Sequence, residues 1–492
     1  MTMEHYKKIV FVSNLIDGKK CGSTGREAFP KFSPVNGKVM YKVARSRAED
    51  VEMAVAAAKK AQPSWEGATV VCRADILRAA AMLLSERKEE VAAVVALETG
   101  KSFKDALGET NGAIEMGFFI AGEGRRFYGR TTTSAVPNKS VFIMRQPLGV
   151  AGLIVAANTP VANVAWKAFP ALLCGNTAVL KAAEDTPLTA LVFAEILHEA
   201  GLPYGVFNVI QGFGEEAGEP LVESPDVDIV SFTGSCEAGR IIQQKAGARL
   251  AKVCLELGGK NPLIVCDDAN LELAAESAVL SAFSNAGQRC ASGSRIIVFE
   301  SVYGRFREML IERAKSLTVG CSDEDDFGPV INQEQLTNML KSVQEAREKG
   351  ATVLAGGYRL SGPGYDGGYF MAPTLIENVS ANDDISRYEL FGPVSCLYRA
   401  RDFSEAMELA NNSPFGLTAA IHTTDMNRVM VFASKIKAGA AVVNGPTYGS
   451  EPHMPFGGLK NSGNGLREAG TEALDVYSDW KTVSINYSPR AV

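Results

Sequence analysis

The run GVAGLIVAANTPVANVAWKAFPALLCGNTAVLKAAEDTPLTALVFAEILHEAG, residues 149–201, decides the fold class of this 492-residue chain. Two short apolar stretches, 149–158 and 176–184, predict buried strands. The helical pattern between them stops at Gly175, and a second helix begins with Thr186 as its cap and Pro187 at its first position. Strands predicted over 207–212 and 228–235 continue the alternation. The sequence therefore predicts an α/β fold with a parallel sheet.

The alternation of strands and helices restarts after residue 260, which predicts a second α/β domain. Strands are expected over 261–266 and 294–300, and helices over 272–285 and 301–316. The Gly258–Gly259 pair is a candidate boundary, because no element needs to continue there. Upstream, residues 48–64 and 73–124 predict helices. The tail WKTVSINY (480–487) alternates, and we expect it to pair with a strand over 141–145.

The composition excludes several classes of protein. The net charge of −6 argues against a nucleic-acid partner, which would favour a basic patch. The nine cysteines include no C-x-x-C pair, which argues against a zinc ribbon or a disulfide framework and favours the cytoplasm. The N-terminal apolar run has four residues, too few for a signal peptide, and no stretch approaches 18 apolar residues. We expect no membrane partner.

Two residues are candidates for acid–base or nucleophilic chemistry. Cys290 lies in NAGQRCASGSR, a loop of small residues in which a thiol can be exposed and reactive; the alternative is a buried structural cysteine. Glu256 lies in CLELGGKNP between Leu255 and Leu257. Partial desolvation there would raise its pKa toward that of a general base. The alternative is a solvated or salt-bridged carboxylate at a strand end.

Three other segments indicate phosphate and ribose binding. In SFTGSCEAGR (231–240), Gly234 and Ser235 occupy a strand-to-helix turn where backbone N–H groups can approach a pyrophosphate. Lys181 and Glu184 follow a buried strand, and Glu184 could accept hydrogen bonds from a ribose and repel a 2′-phosphate. The G-x-G-x-x-x-G spacing of GFGEEAG (212–218) is a weak Rossmann signal. Simple turns and a solvent-facing loop are the alternatives.

Together these motifs resemble the aldehyde dehydrogenase superfamily over essentially the whole chain. Glu256 and Cys290, 34 residues apart, fit the family's spacing of base and nucleophile. The matching segments are LELGGKNP (255–262), GQRC (287–290), FTGS (232–235), the run 156–187, ELFGPV (389–394) and PFGGLKNSGNG (455–465).

The resemblance implies a role for each matching residue. Cys290 is expected to be the nucleophile, Asn158 the oxyanion donor together with the backbone N–H of Cys290, and Glu256 the base that activates water. The cofactor is expected to be NAD, with NADP possible, and the chemistry needs no metal. The expected adenosine and pyrophosphate contacts are Lys181, Glu184, Gly214, Gly218, Gly234 and Ser235, and the expected nicotinamide contacts are Glu389 and Phe391.

The resemblance also implies a domain plan and an assembly. We expect a Rossmann-like NAD-binding domain (1–125 and 148–258), a second α/β domain that is catalytic (259–456), and a small β bridging unit (126–147 and 475–492). The bridging strands are expected to join subunits in a homodimer or homotetramer.

The substrate pocket differs from that of acetaldehyde-type members. Ala156 and Ala157 stand where many members have Pro-Trp. Thr159, Asn163 and Trp166 are expected to line the pocket from one helix face. Their polarity favours a semialdehyde, which the tail 462–482 supports, or an aromatic aldehyde, which 444–458 supports. Arg289 could clamp a substrate carboxylate, but consecutive loop residues usually point apart.

Two other functions compete with hydrolytic oxidation. In a CoA-acylating aldehyde dehydrogenase, CoA attacks the thioester and no water-activating base is needed, so Glu256 argues for hydrolysis. A non-catalytic protein could reuse the fold. The joint presence of Cys290, Glu256 and Asn158 argues against that reading.

Overall fold

The computed structural model describes residues 9–488. The first eight residues of the predicted NAD-binding domain and residues 489–492 of the predicted bridging unit lie outside the described residues. Within 9–488, no helix is both long and apolar enough to cross a membrane.

The strands follow one another along the whole described chain. They are β1 (Phe11–Val12), β2 (Asn14–Ile16), β3 (Lys19–Cys21), β4 (Ala28–Phe32), β5 (Val39–Ala44), β6 (Arg130–Thr132), β7 (Lys139–Pro147), β8 (Val150–Ile154), β9 (Thr177–Lys181), β10 (Phe207–Ile210), β11 (Ile229–Thr233), β12 (Lys252–Glu256), β13 (Asn261–Val265), β14 (Gly293–Phe299), β15 (Thr352–Ala355), β16 (Thr374–Glu377), β17 (Val394–Ala400), β18 (Phe415–Gly416), β19 (Thr418–His422), β20 (Ala440–Val443), β21 (Leu459–Lys460) and β22 (Ser478–Asn486).

The helices mostly alternate with these strands after residue 150. They are α1 (Ala48–Gly67), α2 (Val70–Glu86), α3 (Lys88–Thr99), α4 (Phe103–Gly122), α5 (Pro160–Leu173), α6 (Pro187–Glu199), α7 (Glu219–Glu223), α8 (Cys236–Ala248), α9 (Leu271–Phe283), α10 (Glu300–Ser316), α11 (Gln333–Glu348), α12 (Asp384–Arg387), α13 (Phe403–Asn411), α14 (Met426–Lys435) and α15 (Ala473–Val476).

Two large sheets confirm the α/β prediction. The first has the order β12-β11-β8-β9-β10-β2-β3 within the described residues. It is parallel from β12 to β10, and the β2–β3 hairpin adds to β10 in the antiparallel direction. The second has the order β15-β16-β17-β14-β13-β19-β20 and is parallel from β16 to β20. The architecture is thus a Rossmann-like sheet beside a second α/β sheet.

Apolar side chains cover both faces of each large sheet. In β9, Ala178 and Leu180 belong to one buried cluster, whereas Val179 between them belongs to another. In β13, Leu263 and Ile264 divide in the same way. Because successive strand residues point to opposite faces, this division means that helices shield both faces. Because the faces are covered, a ligand can reach each sheet at the carboxyl ends of its strands.

The third sheet joins distant parts of the chain. Its order is β22-β7-β6. The predicted pairing of the tail is confirmed, because β22 pairs antiparallel with β7 from Ser478 opposite Pro147 to Asn486 opposite Lys139. The strand β22 forms one edge of this sheet within the described residues.

The prediction of one helix over 73–124 is wrong. The stretch forms three helices, α2, α3 and α4, with breaks at Arg87 and after Thr99. Gly100 ends α3 in the left-handed region at φ 74°, which glycine adopts without steric penalty. Ser102 then starts α4, because its hydroxyl accepts a hydrogen bond from Asp105 N at 3.1 Å.

A buried carboxylate, Glu98, caps helix α6. Thr186 occupies the predicted cap position, but its side chain makes no capping hydrogen bond. Instead Glu98 accepts hydrogen bonds from Leu188 N and Thr189 N, both at 2.8 Å, and also from the Tyr41 hydroxyl. A negative charge at a helix N-terminus is favourable. Glu98 therefore fixes the start of α6, directly after the loop that carries Glu184.

We expect Glu98→Ala to lower the free energy of unfolding by about 2–4 kcal/mol. Two buried backbone N–H groups would lose their acceptor, at about 1–3 kcal/mol each. The thermal midpoint, followed by circular dichroism, measures the effect. Glu52→Ala, an exposed change on α1, is the control and should shift the midpoint little. Equal midpoints for the two variants would contradict the capping role.

Candidate active site

A cavity of about 1530 Å³ is lined by strand ends of the first large sheet and by loops that lead into strands of the second. On the first sheet, the lining segments follow the carboxyl ends of four neighbouring parallel strands, β12, β11, β8 and β9. Ligands of open α/β sheets bind at this edge. The volume exceeds the roughly 300–1,000 Å³ of a typical small-ligand pocket. The cavity therefore has room for a dinucleotide together with a small substrate.

One end of the cavity carries four of the predicted cofactor residues, Lys181, Glu184, Gly234 and Ser235. The Lys181 ammonium lies 2.7 Å from Glu184 Oε2. Burial alone would raise the pKa of Glu184, but this ammonium outweighs burial and lowers it. Ser235 caps α8 by accepting a hydrogen bond from Ala238 N at 3.2 Å. A helix N-terminus with a carboxylate nearby fits the diphosphate and ribose of NAD.

The two glycines from GFGEEAG separate in the structure. Gly214 lines the cavity and Gly218 does not. Gly218 is buried at the end of a wide turn, where its N–H faces Phe213 O at 3.4 Å. A Cβ there would meet only Ile154 Cδ1, at 4.0 Å. The turn therefore points Gly218 into the fold and needs no glycine at that position.

Glu256 ends β12 as a buried, unpartnered carboxyl. Only 5% of the residue is exposed, and neither carboxylate oxygen has a hydrogen-bond partner among residues 9–488. Burial and then the Glu468 charge raise the pKa of Glu256 well above its ordinary value, against the opposing charges of Lys167 and Arg467. The predicted desolvation is confirmed. A buried polar group without a partner is rare, and a raised pKa in a cleft is typical of an acid–base site.

A buried ion pair lies close enough to Glu256 to affect its pKa. Lys167 has its Nζ 2.5 Å from Glu468 Oε1 and 2.8 Å from Ser231 Oγ. The Ser231 hydroxyl donates to Glu468 Oε1 at 2.6 Å. Both charged side chains are almost fully buried. Their separation of 301 residues along the chain leaves no local sequence signal for the pair.

Glycines beside Glu256 make room for the site. A Cβ on Gly258 would overlap the Glu389 carboxylate, and one on Gly259 would overlap the Cys290 carbonyl oxygen. A Cβ on Gly457 would lie 2.7 Å from Glu256 Oε1. The glycine pairs of LELGG and PFGG are therefore required by close approach around two carboxyls and the Cys290 loop.

Cys290 lies in the loop that enters β14, and it lines the cavity. Asn285 and Ala286 upstream adopt left-handed backbone with φ of 54° and 55°, a strained state for alanine that is typical of functional loops. The thiol is half-buried rather than exposed as predicted. Burial, followed by the charges of Glu389 and Glu256, raises the pKa of Cys290 to about 12. The unliganded protein therefore holds a neutral thiol, which needs a base before it can attack.

Asn158 links the end of β8 to the Cys290 loop. Its side-chain Nδ2 donates to Gln288 O at 3.0 Å. Its backbone oxygen accepts from Lys101 Nζ at 2.9 Å and from Asn285 Nδ2 at 3.3 Å. Lys101 in turn pairs with Glu109 Oε2 at 2.7 Å. The Asn158 side-chain amide is thus bound to Gln288, which lies two positions before Cys290 in the sequence.

Sequence reasoning missed the partners that hold Asn158. Lys101 and Glu109 lie about fifty residues upstream, on a part of the chain without a local motif. Gln288 and Asn285 lie within five positions of Cys290 in the sequence. That proximity was the one signal from which their contacts with Asn158 could have been predicted.

The predicted nicotinamide residues, Glu389 and Phe391, also line the cavity. Glu389 Oε1 accepts a hydrogen bond from Gly259 N at 2.9 Å. Burial is the main cause that raises the pKa of Glu389 to about 7. Phe391 has left-handed backbone, with φ of 54°. The loop that carries Glu389 and Phe391 therefore has a left-handed residue at the position where the nicotinamide is expected to bind.

The three predicted pocket residues on α5 and its cap line the cavity, but not in equivalent ways. The Trp166 ring meets Phe456 edge-on, with centroids 5.8 Å apart. Thr159 is the helix cap position and makes no capping hydrogen bond through its side chain. The Asn163 Nδ2 donates to Ala156 O at 3.0 Å and to Asn158 Oδ1 at 3.1 Å. Of the three residues, Asn163 is therefore the one whose side chain is hydrogen-bonded to Asn158.

Arg289 lines the same cavity as Cys290, although consecutive loop residues usually point apart. Its guanidinium lies 4.7 Å from the centroid of Tyr448, another lining residue that the sequence did not single out. Its Nε is buried without a hydrogen-bond partner in the described chain. The stacked guanidinium is thus available to an anion in the cavity.

Comparison with known proteins agrees with this geometry. The chain is 40% identical over 476 residues to α-ketoglutaric semialdehyde dehydrogenase of Bacillus subtilis (strain 168), covering 96% of this chain and 97% of that protein. It is 38% identical over 449 residues to 2,5-dioxopentanoate dehydrogenase of Saccharolobus solfataricus, covering 90% and 93%.

A solved structure of Staphylococcus aureus betaine aldehyde dehydrogenase in complex with NAD+ superposes with a TM-score of 0.96 at 34% identity, covering 100% of this chain and 98% of that one. The sequence model of the aldehyde dehydrogenase family matches residues 21–483. The chain belongs to the aldehyde dehydrogenase family.

Proposed function

We propose that Cys290 is the nucleophile, Asn158 the oxyanion donor and Glu256 the base in the NAD-dependent oxidation of an aldehyde to a carboxylic acid. The oxidation itself follows from the family. The observation that supports the residue roles is that all three residues line one cavity together with every predicted NAD residue except Gly218. A solved relative, betaine aldehyde dehydrogenase of Staphylococcus aureus, binds NAD+.

The first chemical step forms a bond between sulfur and carbon. Glu256 takes the proton of the Cys290 thiol, whose raised pKa makes an accepting base necessary. The sulfur bonds to the aldehyde carbon, and the carbonyl π electrons move to the oxygen. The second N–H of the Asn158 amide and the Cys290 backbone N–H stabilise this oxyanion. Losing one such donor typically slows a reaction about 10²–10³-fold.

The second half of the reaction hydrolyses a thioester. Bound NAD supplies the hydride acceptor that converts the adduct to the thioester. Glu256 releases the thiol proton to solvent and then takes a proton from a water molecule whose oxygen attacks the acyl carbon; this proton can pass to the departing sulfur. The carbon–sulfur bond then breaks, and the acid leaves. The buried, unpartnered Glu256 carboxyl supports this role over that of a CoA-acylating enzyme, in which a thiol replaces the water.

We further propose that the substrate is a semialdehyde with a remote carboxylate, recognised by Arg289. The relatives are named for such compounds, α-ketoglutaric semialdehyde and 2,5-dioxopentanoate. Among the other lining cations, Lys101, Lys181 and Lys349 already pair with carboxylates, and Lys104 is exposed on α4. Arg289 forms no ion pair within the described chain and stacks on Tyr448. An aromatic aldehyde, which would stack without needing this charge, is the competing substrate class.

We also propose a preference for NAD over NADP, a cytoplasmic location and the predicted division into domains. The charged Glu184 beside Lys181 supports NAD over NADP, because a carboxylate repels a 2′-phosphate. Nine free cysteines support a cytoplasmic location. The division into an NAD-binding domain (1–125 and 148–258), a catalytic domain (259–456) and a bridging unit (126–147 and 475–492) stays a prediction.

The bridging strands support a homodimer or homotetramer. The edge strand β22 carries the exposed Ile485, and its partner β7 carries the exposed Met144. An unpaired edge with exposed apolar residues is suited to pairing with another copy of the chain.

We expect Cys290→Ala to abolish NADH formation and Glu256→Gln to slow both the first turnover and the later ones, because Glu256 is the proposed base for the thiol and for the water. The raised pKa of Glu256 means that its basic form grows as pH rises, so wild-type turnover should increase from acidic to alkaline pH. Glu256→Gln should lose that increase. Absorbance at 340 nm under rapid mixing, without CoA, separates the burst from the steady state.

Cys72→Ala, a change at an exposed cysteine, is the control and should behave as wild type. Equal rates for Cys290→Ala and wild type would mean that another residue is the nucleophile. Turnover that requires CoA would instead favour the CoA-acylating reaction.

We expect Arg289→Met to raise KM for succinic semialdehyde about tenfold to a hundredfold, because a charge-assisted hydrogen bond of about 1.5–3 kcal/mol is lost. The KM for benzaldehyde, which carries no carboxylate, should change little. Arg289→Lys should recover part of the loss. Steady-state kinetics with the two aldehydes measure this difference. A loss of the same size for both aldehydes would reject the carboxylate role.

We expect the purified protein to elute at a multiple of the 52.5 kDa chain mass in size exclusion with light scattering. Ile485→Arg should shift the distribution toward smaller species, because it adds charge to the exposed edge. Glu89→Arg, an exposed change on α3, is the matched control. A wild-type mass of one chain at micromolar concentration would rule out the homo-oligomer.

A further inference from the structure

We propose that Asn163 is a positioning residue that fixes the Asn158 carboxamide with its free N–H group toward the oxyanion that forms when Cys290 adds to the aldehyde. This inference rests on the proposed function, in which Asn158 stabilises the oxyanion. Asn163 touches no reacting atom in that scheme and acts through Asn158.

The fold brings Asn163 back to the end of strand β8. Helix α5 begins at Pro160, and Asn163 N donates to Thr159 O at 2.9 Å, so Asn163 lies one turn into the helix. Side chains on a helix lean toward its N-terminus. The Asn163 amide accordingly reaches Ala156 O and Asn158 Oδ1, at 3.0 and 3.1 Å.

Two backbone carbonyls decide which way both amides face. A carbonyl oxygen only accepts hydrogen bonds, so the Ala156 carbonyl requires the NH₂ end of Asn163. That NH₂ group then requires the oxygen end of Asn158 as its second acceptor. At the other end, the Gln288 carbonyl requires the NH₂ end of Asn158. Rotating either amide by 180° would set oxygen against oxygen or N–H against N–H.

This orientation matters because the two ends of a carboxamide have opposite effects on an oxyanion. The Asn158 NH₂ group uses one N–H on Gln288 O and has a second to offer beside Cys290. An inverted amide would present its oxygen and repel the developing negative charge. Asn163 therefore selects the amide orientation that assists the addition step.

The test compares Asn163→Asp with Asn163→Leu. Aspartate has nearly the shape of asparagine but offers only acceptors, so it repels Ala156 O and draws the Asn158 NH₂ group toward itself. We expect Asn163→Asp to slow the first turnover about 10²–10³-fold, as for loss of an oxyanion donor. Asn163→Leu removes the bond without inverting the amide and should slow it about tenfold. KM should stay within about threefold for both.

Two controls separate this effect from added charge and from damage to the loop. Asn427→Asp makes the same chemical change at an exposed position on α14 that does not line the cavity, and it should leave the first turnover near the wild-type rate. The rate at which iodoacetamide alkylates Cys290, measured on the tryptic peptide that contains it, should be the same in both Asn163 variants as in the wild type. An unchanged rate would show that the Cys290 loop is intact. Circular dichroism checks that each variant is folded.

A double-mutant cycle gives the deciding result. If Asn163 acts through Asn158, then Asn163→Asp should cause no further loss in the Asn158→Ala background. Losses that add in the double variant, or a wild-type rate for Asn163→Asp alone, would overturn the inference. Failure of the proposed function looks different: the wild type would form no NADH from any aldehyde, or Cys290→Ala would remain active.

Discussion

Desolvation of the Glu256 carboxyl is the constraint around which the site is built. A carboxyl without hydrogen-bond partners is unfavourable in a protein interior, so the surrounding chain must be fixed by other contacts. Glycines at 258 and 457 let two loops approach Glu256 and Glu389 more closely than any side chain allows. Burial holds the Glu256 pKa high, and this keeps a proton-transfer group ready beside a neutral thiol.

A second constraint is that the proposed oxyanion donor and the proposed nucleophile adjoin different sheets. Asn158 follows a strand of the first sheet, whereas Cys290 precedes a strand of the second. The hydrogen bonds from Asn158 to Gln288 and from Asn285 to Asn158 connect these two segments. Because they end on backbone carbonyls, they fix orientation as well as distance. The relative position of the two sheets thus becomes part of the catalytic geometry.

The charged residues that line the cavity differ in whether a carboxylate of the protein already pairs with them. Three lining lysines are paired with carboxylates, which neutralises them and leaves them to hold loops in place. Arg289 is stacked on an aromatic ring without a carboxylate partner, close to Cys290 in sequence. At the far end, the N-terminus of α8 supplies backbone donors for an anion without adding net charge. This arrangement shows how an acidic protein could accommodate NAD and the proposed anionic substrate.

The sequence by itself determined the α/β class, the alternation that starts at residue 149, the tail pairing and the desolvation of Glu256, because each depends on local periodicity or on immediate neighbours. It did not determine that 73–124 breaks at Gly100, since the break depends on a glycine conformation within an otherwise helical pattern. Only the tertiary structure decided that Lys167 pairs with Glu468, that Gly218 turns away from the cavity, and that Asn163 binds Asn158. Those contacts join residues on different elements, and their direction is set by how helices and loops pack against each other.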